Sequence, residues 1–447
     1  MKWDQTGFAL LIVSLGFAVF AFGATSPGPQ WIAHGLVCLT SLTLFIQLII
    51  TRRLSSLFTR RLISLGLPIL LLVAQGLFMI VNAKSDHSML TWEFESLKPA
   101  LSDKLPGSEV RSASREAVTL HVGTLTLLLL LVAHIRSKRQ LLLIARTIAL
   151  IGVVFAVVGL TQKAIGLRSI YGLSETGQGM FFGSYRSHTN AGSLILMTWP
   201  FCMALFLIEC SREFRSKRWI ALWGIGSLLL TVSLFVNQSR AAQAIGLLTF
   251  SLFLWMSRRE LRSSFAWGRG RWEQRVIKLL AGAIILLTVL ITLHQVSGRW
   301  SQFATSRYWP PTNTVRWQAW EVEWKMVQDA GWFGLGPGAF KHLFPYYTHD
   351  AGDDLAGRWF HAHQDYLQIL MEWGSLGALC WSAILFGGWL LSTRRLFQGN
   401  TPLDRAIWTA TTAILLHMLV DFPFHIYSLQ LLLLVTLAMA WGRKIPD

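Results

Sequence analysis

Residues 361–365 read HAHQD, which puts two imidazoles and a carboxylate within five positions at the head of a long apolar run. An imidazole that is neutral near pH 7 can take a proton from a hydroxyl. A carboxylate beside it, such as Asp365, can fix its tautomer and stabilise the cation that forms. At spacing two, an extended chain points His361, His363 and Asp365 the same way. Three uses of the group stay open on spacing alone. The pair can ligate a metal with His342 or His349, form a hydrogen-bonded polar lip, or supply a general base.

Three arginines stand out for a different reason. Arg186 lies in GSYRSHTNAG, Arg240 in VNQSRAAQ, and Arg316 at the head of RWQAWEVEWKMVQDAG, each next to apolar sequence. Grouping guanidiniums beside apolar helices is costly unless an anion or carboxylates neutralise them. The planar fork suits phosphate oxygens and needs no metal to bind them. Asp421, in HMLVDFPFH, can orient a sugar hydroxyl or cap a helix. Arginines for an anionic leaving group and a base for an incoming hydroxyl imply group transfer from a phosphate-linked donor.

The elements that must position these groups are membrane helices. The chain has 447 residues, of which 53% are hydrophobic and only 14% charged, too few charges for a soluble domain of this length. Apolar runs fall near 8–24, 31–50, 62–82, 117–135, 141–165, 190–210, 219–236, 241–256, 276–297, 366–391, 406–421 and 424–442, which gives about twelve spans. The first run resembles a signal peptide in length, but its place in a regular series favours an uncleaved span. The net charge of +17 is dispersed in short clusters between spans, a pattern of membrane orientation rather than nucleic-acid binding. Cys38, Cys202, Cys210 and Cys380 all lie inside apolar runs and build no disulfide framework.

Every second connection is basic: Arg52 to Arg61, Arg136 to Arg139, Arg212 to Arg218, Arg258 to Arg275, Arg394 to Arg405, and Arg443 with Lys444. The positive-inside rule then sets both termini in the cytoplasm and the other connections outside. Residues 1–447 thus read as one integral membrane domain, all-α and polytopic, with outer loops at 83–116 and 298–365. In the second loop, Trp317, Trp320 and Trp324 recur at helical spacing, as an amphipathic surface helix or a packed cap requires. GWFGLGPGAF follows as a breaker, either a plain turn or a cradle of N–H groups for an anion.

RWQAWEVEWKMVQDAGWFGLGPGAF followed by HAHQDYLQILMEWGSLGALC resembles the O-antigen ligase and polymerase superfamily of bacterial inner membranes. NQSRAAQ at 237–243 and SHTNAG at 187–192 add to the likeness, while the N-terminal third matches only in being hydrophobic. The resemblance implies a metal-independent, inverting glycosyltransferase of polysaccharide biosynthesis with no cofactor. Its donor would be a glycan on undecaprenyl pyrophosphate, and its acceptor another glycan or the lipid A core of lipopolysaccharide. By position in the motif, Arg240 and Arg316, with Arg186 as a third candidate, look like the diphosphate-binding arginines. His363 looks like the base, with His361 its nearest rival. Gln364 stands where the family usually has Asn, and Ala241 where it often has Gly. The Gln amide can still orient substrate from one methylene further away. A ligase and a polymerase differ only in acceptor, and the ligase type is the reading preferred here. A lipid or solute transporter is the expectation from another class, although carriers keep their polar groups near mid-bilayer.

Overall fold

The computed structural model describes residues 6–88, 90–175, 180–211, 216–265, 315–349, 355 and 359–442. It is mostly helical. The helices are α1 (Thr6–Phe20), α2 (Pro27–Ile50), α3 (Arg60–Val81), α4 (Arg111–His134), α5 (Lys138–Ala164), α6 (His188–Cys210) and α7 (Lys217–Val236). They continue as α8 (Arg240–Met256), α9 (Arg258–Phe265), α10 (Val315–Ala330), α11 (Phe340–Tyr347), α12 (Asp365–Gln398), α13 (Pro402–His417) and α14 (Tyr427–Trp441). A hairpin of β1 (Ser85–Ser88) and β2 (Glu93–Ser96) pairs antiparallel, with Ser85 opposite Ser96.

Among the described residues, α2 to α7 and α12 make seven helices long and apolar enough to cross a membrane. The shorter apolar helices α1, α8 and α14 occupy three more of the expected runs, and α13 lies in the run expected at 406–421. The run at 276–297 falls outside the described residues. Two boundaries differ from expectation. Helix α4 starts at Arg111 rather than 117, because Arg111, Arg115 and Glu116 lie within its first turns instead of in the loop. Helix α12 runs on through Arg394 and Arg395. The buried Arg395 guanidinium donates to Met439 O at 2.8 Å and to Gly442 O, at the carbonyl end of α14.

Helix starts are set by local caps. Ser137 and Gln140 form a capping box ahead of α5, and Thr401 with Asp404 forms another ahead of α13. Ser187 and Ser239 cap α6 and α8. Helix α6 is the most buried of the candidate spans and packs against α5, α7, α8 and α13. Small residues allow the close approach: a Cβ on Gly152 would lie 2.4 Å from Thr198, and one on Gly192 would lie 2.5 Å from Ala242.

The Trp-bearing segment is helical over Val315–Ala330. One face, with Ala319, Val322 and Met326, is buried in a small core with α11 and the start of α12. Trp317 and Trp324 are exposed on the other, so the segment is packed on one side and bare on the opposite one. The glycine-rich segment after it is a turn, with its amides engaged. Gly334 N donates to Ala330 O, Leu335 N to Met371 O and Gly336 N to Glu372 O, at 2.9, 2.9 and 3.1 Å. Gly334 sits at φ 84° and Gly374, where α12 kinks, at φ 63°. A Cβ on Gly334 would meet Glu372 O at 2.3 Å, so only glycine fits this clamp.

Glu323, on the buried face of α10, is 1% exposed, and neither of its carboxylate oxygens has a partner among the described residues. Burial pushes its pKa up to about 10, so the group is neutral at pH 7. The folded state then holds a proton that the unfolded state releases above the usual Glu range. Folding stability falls as pH rises from about 4.3 towards 10, by at most about 1.4 kcal/mol per pH unit. Glu323→Gln removes that slope. Thermal unfolding in detergent from pH 5 to 8 is expected to show the variant gaining on the wild type as pH rises. A constant difference would mean the carboxyl is ionised.

The bundle has two chemically distinct ends. At one, α3, α5, α7, α9 and α13 begin and the basic connections gather. There Arg405, itself buried, pairs with Glu260 and donates to Ser257 Oγ at 2.7 Å. At the other, α6, α8 and α12 begin and α7 and α13 end, which brings the histidines and Asp421 to one rim.

Candidate active site

His363 sits in the turn before α12 with φ 53°. The segment is therefore not extended, and the expectation that His361, His363 and Asp365 point one way is not met. The left-handed residue sends them to different partners.

His363 Nδ1 lies 3.5 Å from Asp421 Oδ1. Helix α13 ends at His417, and the amides of Val420 and Asp421 turn back onto His417 O at 3.1 and 3.0 Å, which brings the carboxylate in. Asp421 is 1% exposed yet faces three basic groups. Arg316 Nη2 is 3.9 Å from its Oδ2, and Arg316 Nη1 donates to Val420 O at 3.4 Å. Burial raises the Asp421 pKa, but His363, His417 and Arg316 outweigh it and hold the pKa down to about 2. The carboxyl is an anion across the physiological range. The helix-cap use of Asp421 thus gives way to a hub joining α13, the His363 turn and the start of α10. His363 and Arg316 both keep exposed surface, at 28% and 45% of their side chains, so a substrate can reach them.

Asp365 partners neither His361 nor His363. It is fully buried, takes the amide of Phe424 at 2.8 Å, and meets His425 Nδ1 at 2.5 Å. His425 Nε2 lies 3.8 Å from Glu372. Burial lowers the His425 pKa, but these two carboxylates overcome it and raise it to about 9, so this imidazole is a fixed cation. His361 stacks on Phe422 with centroids 4.5 Å apart, while His363 meets the same ring edge-on at 4.7 Å. Phe422 thus separates the two histidines. Burial, then the charge of His425, push the His361 pKa down to about 3 and keep it neutral.

His361 lines a cavity of about 300 Å³ with Lys341, Gln368, Glu372, His425 and Gln430. Its polar lining includes groups of both signs, and its volume is at the small end of the range for ligand sites. Gln364 caps α12, its Oε1 accepting Leu367 N at 2.6 Å, so its amide oxygen is committed to the helix start. His342, a candidate third metal ligand, lies 2.9 Å from His87, Nδ1 to Nδ1.

Arg240 is the first residue of α8 and is exposed. Its helix start rests on that of α6 through Asn237, which donates to His188 O at 3.3 Å. One turn along α6, Ser193 meets His417 Nδ1 at 2.8 Å, which connects Arg240's neighbourhood to the Asp421 turn. Arg186 is exposed just ahead of the α6 cap. The structure therefore brings Arg316, His363 and Asp421 into contact, sets Arg240 on the adjoining helix start, and assigns Asp365 and Gln364 other partners.

His425 and Glu372 were not singled out by spacing. Their signal is an ionisable residue set in apolar sequence, which marks function or a paired core group alike. A search of curated proteins finds no match to this chain. A family model described as O-antigen ligase matches residues 225–382, so the segment holding Arg240, Arg316, His361, His363 and Asp365 is similar to that family.

Proposed function

We propose that this multi-pass membrane protein transfers a glycan from undecaprenyl pyrophosphate to a hydroxyl acceptor, outside the cytoplasm. In this reading it lies in the bacterial inner membrane with about twelve spans and both termini cytoplasmic. The segments 83–116 and 298–365 are then periplasmic. The observation that carries the proposal is the meeting of His363, Asp421 and Arg316 at one rim.

The acceptor oxygen attacks the anomeric carbon of the donor sugar from the face opposite the phosphate. A carbon–oxygen bond forms, the bond to the phosphate oxygen breaks, and the anomeric configuration inverts. The hydroxyl proton passes to the imidazole of His363, whose positive charge Asp421 stabilises across 3.5 Å. The diphosphate leaves as an anion, and its growing charge is met by Arg316 and Arg240, with Arg186 within the same rim. No protein-bound metal is needed for these steps. The cavity beside His361 suits the acceptor sugar, since mixed donors and acceptors match hydroxyls better than an anion.

A polymerase would use the same donor and chemistry with a second lipid-linked repeat as acceptor. Glycan profiles of a strain lacking this protein decide between them. A ligase leaves free polymer unattached to lipid A core, whereas a polymerase leaves single repeats. An unchanged profile would count against both. Transport is less well supported, because among the described residues the histidines, Asp421 and Arg316 collect at one rim.

A further inference from the structure

At the end of the bundle opposite the histidines, two connections far apart in sequence close around one cavity of about 820 Å³. The α2–α3 connection contributes Arg52, Arg53, Arg60 and Arg61, and the α4–α5 connection contributes Arg136. Five guanidiniums thus line one hollow, and among the described residues no carboxylate lines it with them. Elsewhere at this end the buried Arg405 has Glu260. Arg61 spends one nitrogen on Gly442 O at 2.7 Å and Arg136 spends its Nε on Ala133 O at 3.0 Å, so both are held in place with donors left over.

A second observation points to a ligand. Ser56 lines the same cavity, is 7% exposed, and its Oγ has no hydrogen-bond partner among the described residues. A sealed hydroxyl without a partner is costly unless something fills the space beside it. Thr59 caps α3 at the same wall, so the first turn of a 22-residue helix adds its N–H groups and positive dipole end. Trp441 and Ile135 form an apolar side. A positive-inside cluster whose only task is orientation has no need to converge, and dispersed charges serve it equally well.

We infer that this hollow binds a phosphate-bearing anion at the basic end of the bundle. The guanidiniums and the Ser56 hydroxyl hold phosphate oxygens there. Two sources share that chemistry: the headgroup of an anionic phospholipid, and free pyrophosphate. The site is separate from the proposed glycan-transfer site, because α3 carries Arg60 at its start whereas Gln75, near its other end, bonds Trp373 O in α12.

The test is an equilibrium binding isotherm on the full-length protein in neutral detergent, with dioleoyl phosphatidylglycerol and inorganic pyrophosphate as separate probes. Wild type is expected to bind one of them saturably, more weakly as salt rises. R52Q/R53Q/R60Q is expected to weaken that binding by more than about tenfold. R218Q/R258Q/R259Q removes the same charge from the other basic connections and should leave binding within about twofold. A phosphatidylglycerol isotherm that pyrophosphate does not compete identifies the lipid source, and the reverse identifies the free anion. If the first triple variant fails to fold, Ser56→Ala carries the test, with an expected loss of about fivefold. Absence of saturable binding of either probe by wild type, or equal losses in both triple variants, would overturn the site.

Discussion

His363→Ala is expected to reduce glycan transfer by about three orders of magnitude, with the amount of folded protein in the membrane unchanged. The imidazole is partly exposed, touches the edge of Phe422 and faces the buried anion Asp421, so its removal deletes a proton acceptor without opening the core. Asp421→Asn keeps the shape and removes the charge. Its own loss is expected to be about a hundredfold, and the double variant should be no worse than His363→Ala alone, because residues acting as one unit are not additive. Independent losses that multiply would mean the two groups serve different purposes. His361→Ala separates the rivals. As a neutral wall of the cavity, His361 is expected to affect KM for the acceptor more than kcat.

Arg316→Lys and Arg240→Lys are each expected to cost roughly 3 kcal/mol in the transition state, or about a hundredfold in kcat/KM for the lipid donor. Charge is retained in both, so a purely electrostatic anchor would tolerate the change. Arg316 already spends Nη1 on Val420 O and directs Nη2 towards Asp421. The planar fork can hold these partners and still face a phosphate oxygen, which a single ammonium cannot. Steady-state kinetics with varied donor check it, and wild-type kcat/KM in both variants would remove the arginines from the diphosphate site.

Much of this arrangement was legible in the sequence, for identifiable reasons. Apolar length and the phase of the basic connections report directly on helices, which is why most run positions fall within a few residues of a helix. Charged first turns blurred α4, and Arg395 blurred the end of α12, because a buried arginine and a loop arginine look alike in sequence. The type of chemistry in HAHQD was legible, but its pairing was not. Spacing two assumes an extended chain, and the left-handed His363 turns the backbone so that Asp365 meets His425, sixty residues away. Asp421 was visible as a rim carboxylate, while its contacts with His363 and Arg316 depend on where α13 stops. Long-range partners of this kind follow from helix packing, which no local pattern encodes.

In the proposed function this rim performs phosphate-leaving glycosyl transfer with a protein base. Purified protein reconstituted with a pyrophosphate-linked oligosaccharide and a hydroxyl-bearing glycan acceptor, in excess chelator, tests it most directly. The expected result is a new glycosidic bond of inverted configuration and release of the lipid diphosphate, both lost in His363→Ala. Transfer that stops on chelation, or that proceeds at the wild-type rate without His363, would contradict it.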